Sequence, residues 1–346
     1  MSVHKSVRFM AAFGVLLTAL AAAGQVTALA PYTVSTFATS VPGVYFQPDS
    51  IALLDGHVFI GFGNNVSTTG ADGKSSTIVE YDLGGNVITA YAVKGHNDGL
   101  KVDPRTEQLW AMQNEDGNPN LVIINPRSGE QKIYTFGPTP HGGGYDDMAF
   151  NGKDVFISAS NPAHNPNSYP AIVRGELTDH KVSVSSVLLG TATVTDIPTD
   201  MPVSLNLQDP DSMTFDPSGD LVLDSQADAE LIILHHPGAS DQSVYHLALT
   251  LDGAPVQIDD TVFATSTYGT ILVSDRDGET IYAISKDIFS PNAAYSATPT
   301  SVGKLDMDTG VITNVVTGMV SPHGMAFVAD NNKDDRDKDK GKKGKE

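Results

Sequence analysis

The stretch from Gln47 to Val93 contains four short apolar runs, QPDSIAL (47–53), HVFIGFGN (57–64), TIVEYDL (77–83) and NVITAYAV (86–93), parted by Gly, Asp and Asn. Runs of this length, rich in Val, Ile, Thr and Tyr, predict strands and not helices. Branched and aromatic side chains suit a pleated, half-buried surface, and the flanking residues suit turns. The grammar recurs. A second copy runs through HNDGLKVDP (96–104), QLWAMQNED (108–116), LVIINPRSG (121–129) and QKIYTF (131–136). A third runs through YDDMAFNG (145–152), DVFISASN (154–161), AIVRGEL (171–177) and VSVSSVLL (182–189). The fourth is PDSMTFDPSG (210–219), LVLDSQAD (221–228), ELIILHH (230–236) and VYHLALT (244–250). A looser fifth takes DDTVFA (259–264), TILVSDRDG (270–278), TIYAIS (280–285) and VITNVV (311–316); PHGMAFV (322–328) is a lone first-strand copy.

Four strands per repeat, at a period of roughly 48 to 65 residues, is the pattern of a β-propeller. A sandwich also has many short strands, but nothing in it calls for the same D-x-[IM]-x-[LF] opening in each repeat. The expected fold is all-β: a propeller of four-stranded antiparallel blades over residues 31–329. Six first-strand copies argue for six blades over five. YTVSTFAT (32–39) is expected to complete the last blade beside PHGMAFV, with the strands still missing from that blade sought in Lys286 to Asp308.

The 346 residues include 41 acids, 21 bases, 10 His and no Cys, a formal net charge of −20. Without cysteine there is no disulfide framework, thiolate metal site or cysteine nucleophile, so a sizeable apolar core must hold the fold. Gly and Pro, 32 and 20 residues, favour turns over long helices. The acidic balance excludes nucleic acid as the expected partner, because it repels phosphate. The charge is also uneven. Residues 1–30 carry two bases and no acid, and 330–346 carry seven bases and six acids; removing both leaves 35 acids and 12 bases, a net of −23, in the body.

The N-terminus, MSVHKSVRFM followed by AAFGVLLTALAAAG and then Ala28-Leu29-Ala30, has the basic, apolar and A-x-A parts of a secretory signal. Its apolar part is shorter than the roughly 20 residues of a spanning helix. Residues 1–30 are therefore expected to be a cleaved signal peptide that sends a soluble monomer, without stable membrane insertion, to the periplasm or outside the cell. The tail 330–346 is expected to be a disordered, solvated, charged segment.

In a propeller the innermost strand of each blade is entered from one face, so the first polar residues of each repeat gather at the mouth of the channel. They are Asp49, Asn97 with Asp98, Asp146 with Asp147, Asp211, Asp259 with Asp260, and His323. Bare carboxylates converging on an axis repel one another. A hard divalent cation resolves that repulsion, and oxygen ligands suit Ca²⁺ better than Zn²⁺. The alternative is that these residues cap the tight turns before each strand. The polar loop GNNVSTTGADGKSS (63–76), after a second strand, lies on the same face.

NDGLKVDPRTEQLW (97–110) resembles the N-D-G-x-x-x-D-P-x-G-x-L-W signature of the senescence-marker-protein/gluconolactonase family. DPDSMTFDPSGDLVL (209–223) is similar to its P-D-G-M-x-x-D-x-x-G-x-L segment. The resemblance implies a six-bladed propeller with one divalent metal, often calcium, on the channel axis. It implies Asn97 as amide ligand and Asp211 as ligand and acid/base or nucleophilic residue. Asp49 stands where the family has Glu, and Asp146 where it has Asn; the Arg that often precedes N-D-G is replaced by Gly95 and His96. Propellers with NHL-type or virginiamycin-lyase-like repeats share the grammar without sharing the activity.

These readings give a metal set of Asp49, Asn97, Asp146 and Asp211, and catalytic residues Asp211, His323 and His96. His141, Asp98 and Asp260 are expected to bind substrate. The expected function is a secreted, metal-dependent hydrolase of a small lactone or ester, with Ca²⁺ as cofactor. The alternative is a non-catalytic propeller that binds a protein, peptide or glycan, with any metal only structural.

Overall fold

In the computed structural model the described residues are 25–330 and Lys333. The rest of the charged tail and residues 1–24 of the expected leader lie outside them. β1 (Thr27–Ala28) and β2 (Thr33–Thr39) join sheets formed late in the chain. β3 (Pro48–Leu54), β4 (His57–Phe62), β5 (Ser75–Asp82) and β6 (Val87–Lys94) form the first antiparallel unit, ordered outward from the axis. Position in the unit explains the patterning. β4 is buried from Val58 to Phe62 because sheet lies on both its edges and apolar residues on both its faces, whereas β6 buries only Tyr91 and Val93 and alternates.

The second unit is β7 (Asn97–Asp103), β8 (Gln108–Gln113), β9 (Asn120–Ile124) and β10 (Gln131–Phe136). The third is β11 (Met148–Asn151), β12 (Asp154–Ser158), β13 (Pro170–Thr178) and β14 (Lys181–Leu189). Their outer strands pair in parallel, Thr135 with Lys181 and Phe136 with Val182, which joins the two units into one sheet. A hairpin of β15 (Thr193–Asp196) and β16 (Met201–Ser204) edges the fourth unit, β17 (Pro210–Phe215), β18 (Leu221–Ser225), β19 (Glu230–His235) and β20 (Ser243–Ala248).

The last two units interlock. After the short hairpin β21 (Thr250–Leu251) and β22 (Ala254–Pro255), the chain forms β23 (Thr261–Phe263). It then leaves that unit to make β24 (Gly269–Asp275) and β25 (Thr280–Ser285). It returns as β26 (Ala294–Thr298), β27 (Ser301–Leu305) and β28 (Val311–Thr317), with Thr261 opposite Ser296. β29 (Pro322–Ala329) is the innermost strand of the sixth unit, followed outward by β24, β25 and β2.

This corrects the assignment of 270–285 to the fifth repeat and of 286–308 to the last blade. β23 offers only three residues for pairing. The long apolar run of β24 pairs instead with β29, Ile271 opposite Phe327 and Leu272 opposite Ala326. β2 does close the last unit, as expected. Residues 25–30, counted with the leader, are placed against the fifth unit: Thr27 pairs with Thr317, Ala28 with Val316, and Val26 and Ala28 pack near Tyr295.

The innermost strands β3, β7, β11, β17, β23 and β29 adjoin in that order, and β29 returns to β3. Six apolar clusters each sit between neighbouring units; one joins Ile60 and Tyr81 of the first to Leu272 and Ile281 of the sixth. Two glycines let the inner backbones approach at the axis. A Cβ on Gly99 would fall 2.4 Å from Asp146 O, and one on Gly324 would fall 2.6 Å from Ser50 Cα. No helix among the described residues is long and apolar enough to cross a membrane.

Candidate metal and binding pocket at the channel mouth

The entrances of the inner strands and the exits of the second strands meet at one end of the channel around a cavity of about 200 Å³. Entrances supply Asp49, Asp98, Asp146, Asp209, Asp211, Asp259 and His323. Second-strand exits supply Thr68, Glu115, Asp116, Ser160, Gln226 and Arg276. A larger cavity, about 640 Å³, opens at the other end between apolar residues such as Leu53, Phe150 and Met213, with Lys101 in its wall. The titratable groups cluster at the smaller one.

Adjacent acids at an entrance part company because successive strand residues face opposite ways. Asp146 and Asp259 face the pocket. Asp147 and Asp260 turn down the channel and clamp the next unit: Asp147 Oδ2 accepts the Met213 N–H at 2.9 Å, and Asp260 Oδ2 the Met325 N–H at 2.6 Å. Lys101 Nζ lies 2.8 Å from Asp147 Oδ2. Burial pushes Asp260 up to about 7, against the nearby Lys101 charge. Burial also raises Asp147, and it raises Asp224 well above the carboxylate range, where the charge of Asp260 adds to it.

Asp98, Asp146 and Asp211 each bring a carboxylate oxygen into one group whose atoms all lie within 4.8 Å of one another. Asp146 is 6% exposed and its buried Oδ1 has no hydrogen-bond partner. Both Asp146 and Asp211 are raised well above the carboxylate range, first by burial, then for Asp146 by the charge of Asp211 and for Asp211 by that of Asp259. An all-carboxylate donor set with an orphaned buried oxygen fits a hard divalent cation.

The remaining expected site residues divide between pocket and packing. Asn97 lies outside the pocket lining and is fully buried; its Nδ2 donates to Gly99 O and Met112 O, and its Oδ1, the oxygen that would ligate a cation, is buried without a partner. Its neighbour Asp98 stands in the carboxylate group. Asp49 groups with Asp259 and His323, whose Nδ1 is 3.5 and 2.9 Å from the two carboxylates. Burial opposes charge on His323, but the charges of Asp259 and Asp49 raise it well above the ordinary imidazole range.

His96 pairs through Nδ1 with Glu115 at 2.9 Å. Burial works against its charge, yet the Glu115 hydrogen bond and charge lift it to about 9. Burial and the charge of Asp98 push Glu115 up to about 7 despite that bond. His141 is 2% exposed, contacts Gly144 O at 2.6 Å and lies outside the pocket lining, as does Asp260. Glu115, Asp209 and Arg276 were not among the expected site residues. Their signal in the sequence is positional: Arg276 directly follows a second strand, Glu115 stands two residues beyond one, and Asp209 directly precedes an inner one.

No family model and no curated protein matches this chain. Among solved structures, the periplasmic gluconolactonase of Pseudomonas aeruginosa is 11% identical with a TM-score of 0.48, over 86% of this chain and 99% of that one. Virginiamycin B lyase from Staphylococcus aureus is 11% identical with a TM-score of 0.47, over 85% and 88%. A putative gluconolactonase is 10% identical with a TM-score of 0.48, over 86% and 84%. The chain is similar in propeller fold to these proteins, at identities that speak to the fold alone.

Proposed function

We propose that this propeller is an exported hydrolase that opens a small lactone or ester at the channel mouth and depends on a divalent cation, with Ca²⁺ the best match to the donors. The observation that carries the reading is the convergence of Asp98, Asp146 and Asp211 within 4.8 Å, with Asp146 Oδ1 buried and unpartnered. These three residues would hold the cation, which when bound supplies a Lewis acid for a carbonyl oxygen.

The chain's own groups supply the proton inventory. Asp211 lines the pocket and, kept ionised when the cation is held, would be the acceptor for the proton of an attacking water. His323 is held protonated between Asp259 and Asp49, and its ring remains 21% exposed, which makes it the donor to a leaving alkoxide. His96 is a positioning residue: its ring is 3% exposed and fixes Glu115 at the pocket wall. The cavity of about 200 Å³ suits a small substrate.

Hydrolysis of aryl esters and of five- and six-membered lactones by the purified chain tests this. EDTA should abolish turnover and Ca²⁺ restore it, with Asp211→Asn inactive in both states. Turnover that survives chelation, or survives in D211N, would sink the reading. No turnover together with a Ca²⁺-raised melting temperature would favour a binding propeller with a structural metal.

A further inference from the structure

The pocket is lined by eight carboxylates and by a single Arg or Lys side chain, that of Arg276. Among the described residues its guanidinium makes no ion pair within 4.0 Å and no hydrogen bond, and its Nε is buried without a partner. A guanidinium carries five donors in a planar fork, and leaving a buried one unmatched is costly. Its position is fixed from below. The Arg276 N–H donates to Ser321 O at 2.8 Å, and the Ser321 hydroxyl lies 3.1 Å from His323 Nε2, so the arginine and the histidine share one anchor in the sixth unit. Asp275, the preceding residue, is spent on the Val320 and Ser321 N–H groups at 3.0 and 2.7 Å and leaves the guanidinium free.

We propose that Arg276 is the receptor for an oxyanion, a carboxylate or phosphonate-like group, carried by the ligand of this pocket. On the hydrolase reading, from which this follows, the preferred substrate is an ester or lactone bearing a negative charge away from its scissile carbonyl. The bidentate match of a guanidinium to such a group gives both affinity and orientation. None of the surrounding carboxylates pairs with the fork within 4.0 Å.

Calorimetric titration of the full chain tests the inference apart from turnover. The probes are monomethyl succinate, methylphosphonate and neutral dimethyl succinate, each with EDTA-treated and with Ca²⁺-loaded protein. Monomethyl succinate or methylphosphonate should bind, and whichever binds tighter identifies the anion. Dimethyl succinate should bind at least tenfold more weakly. Arg276→Gln should lose about tenfold to a hundredfold in affinity for the anion, and Arg276→Lys, which keeps the charge but not the fork, should fall between. Equal binding of the anion by wild type and R276Q, or a wild type that does not distinguish the anion from its dimethyl ester, overturns the assignment. If R276Q fails to fold, R276K binding as tightly as wild type overturns the fork. Arg276-dependent binding without ester or lactone turnover would keep this inference and remove the hydrolase reading.

Discussion

Asp147→Ala removes two contacts at the axis at once. The Met213 N–H, now held at 2.9 Å, loses its acceptor, and the Lys101 ammonium, at 2.8 Å, loses its counter-charge. Breaking a buried pair from one side costs about 3–5 kcal/mol, and an orphaned buried N–H costs about 1–3 kcal/mol. Asp147 is 2% exposed, but the Lys101 side chain is 24% exposed through the opposite cavity, so water relieves part of the first cost. A total of about 4 kcal/mol follows. With an unfolding entropy of roughly 2 cal/mol/K per residue over about 300 residues, that is a fall in Tm of about 6 °C. Lys101→Met combined with Asp147→Asn replaces the pair by neutral groups, keeps an acceptor for Met213, and should recover to within about 1.5 kcal/mol of wild type. Thermal and urea unfolding, followed by circular dichroism and by Trp110 fluorescence, measures both. An Asp147→Ala chain that melts within 1 °C of wild type would refute the clamp. So would strict additivity of Lys101→Met and Asp147→Asn.

Three further outcomes are expected. Ca²⁺ at a hundred times its Kd should stabilise the wild-type chain by about 2.7 kcal/mol. Asp146→Asn should remove the response and Asn97→Ser should keep it; the reverse pattern would put the ligand at Asn97. A chain beginning at Pro31 loses β1 and the Val26 and Ala28 contacts and should be about 1–2 kcal/mol less stable than one beginning at Gln25; identical melting curves would show that β1 adds nothing. His246 sits 2.9 Å from both Asp196 and Glu230, and the hydrogen bond to Glu230 raises it in spite of burial. Asp196 is lowered, mainly by Thr199 and then by His246. The imidazole's contribution is complete below the unfolded value of about 6.5 and fades as pH rises through the raised folded value. The carboxylate's contribution is present above about pH 4 and fades as pH falls through its lowered value. His246→Gln should therefore cost more at pH 5.5 than at pH 9, and a pH-independent loss in urea titrations would contradict the pairing.

Much of the site was legible because it is written in the repeat. Aspartates recur where inner strands begin, and a propeller brings those points to one mouth. Choosing between neighbours was another matter. Register shifts occur at these same entrances, between Pro48 and Ile51, Asn97 and Leu100, and Pro210 and Met213. A bulge there changes which side chain faces the pocket, so counting by twos along the strand cannot choose Asp98 over Asn97. Asp259 and Asp260 show the same ambiguity without a bulge: both are acidic, and only their surroundings show that one lines the cavity and the other accepts the Met325 N–H.

By itself the sequence determined the strands, the period and the acidic mouth, because β-branched runs, turn residues and charge act locally and survive being read in one dimension. Tertiary structure alone decided that β24 and β25 serve the sixth unit while β26 to β28 return to the fifth. It alone gathered Glu115, Asp209 and Arg276 from three separate loops around Asp98, Asp146 and Asp211. Strand partners and loop neighbours are fixed by which apolar faces pack together around the ring, a condition that no single repeat contains.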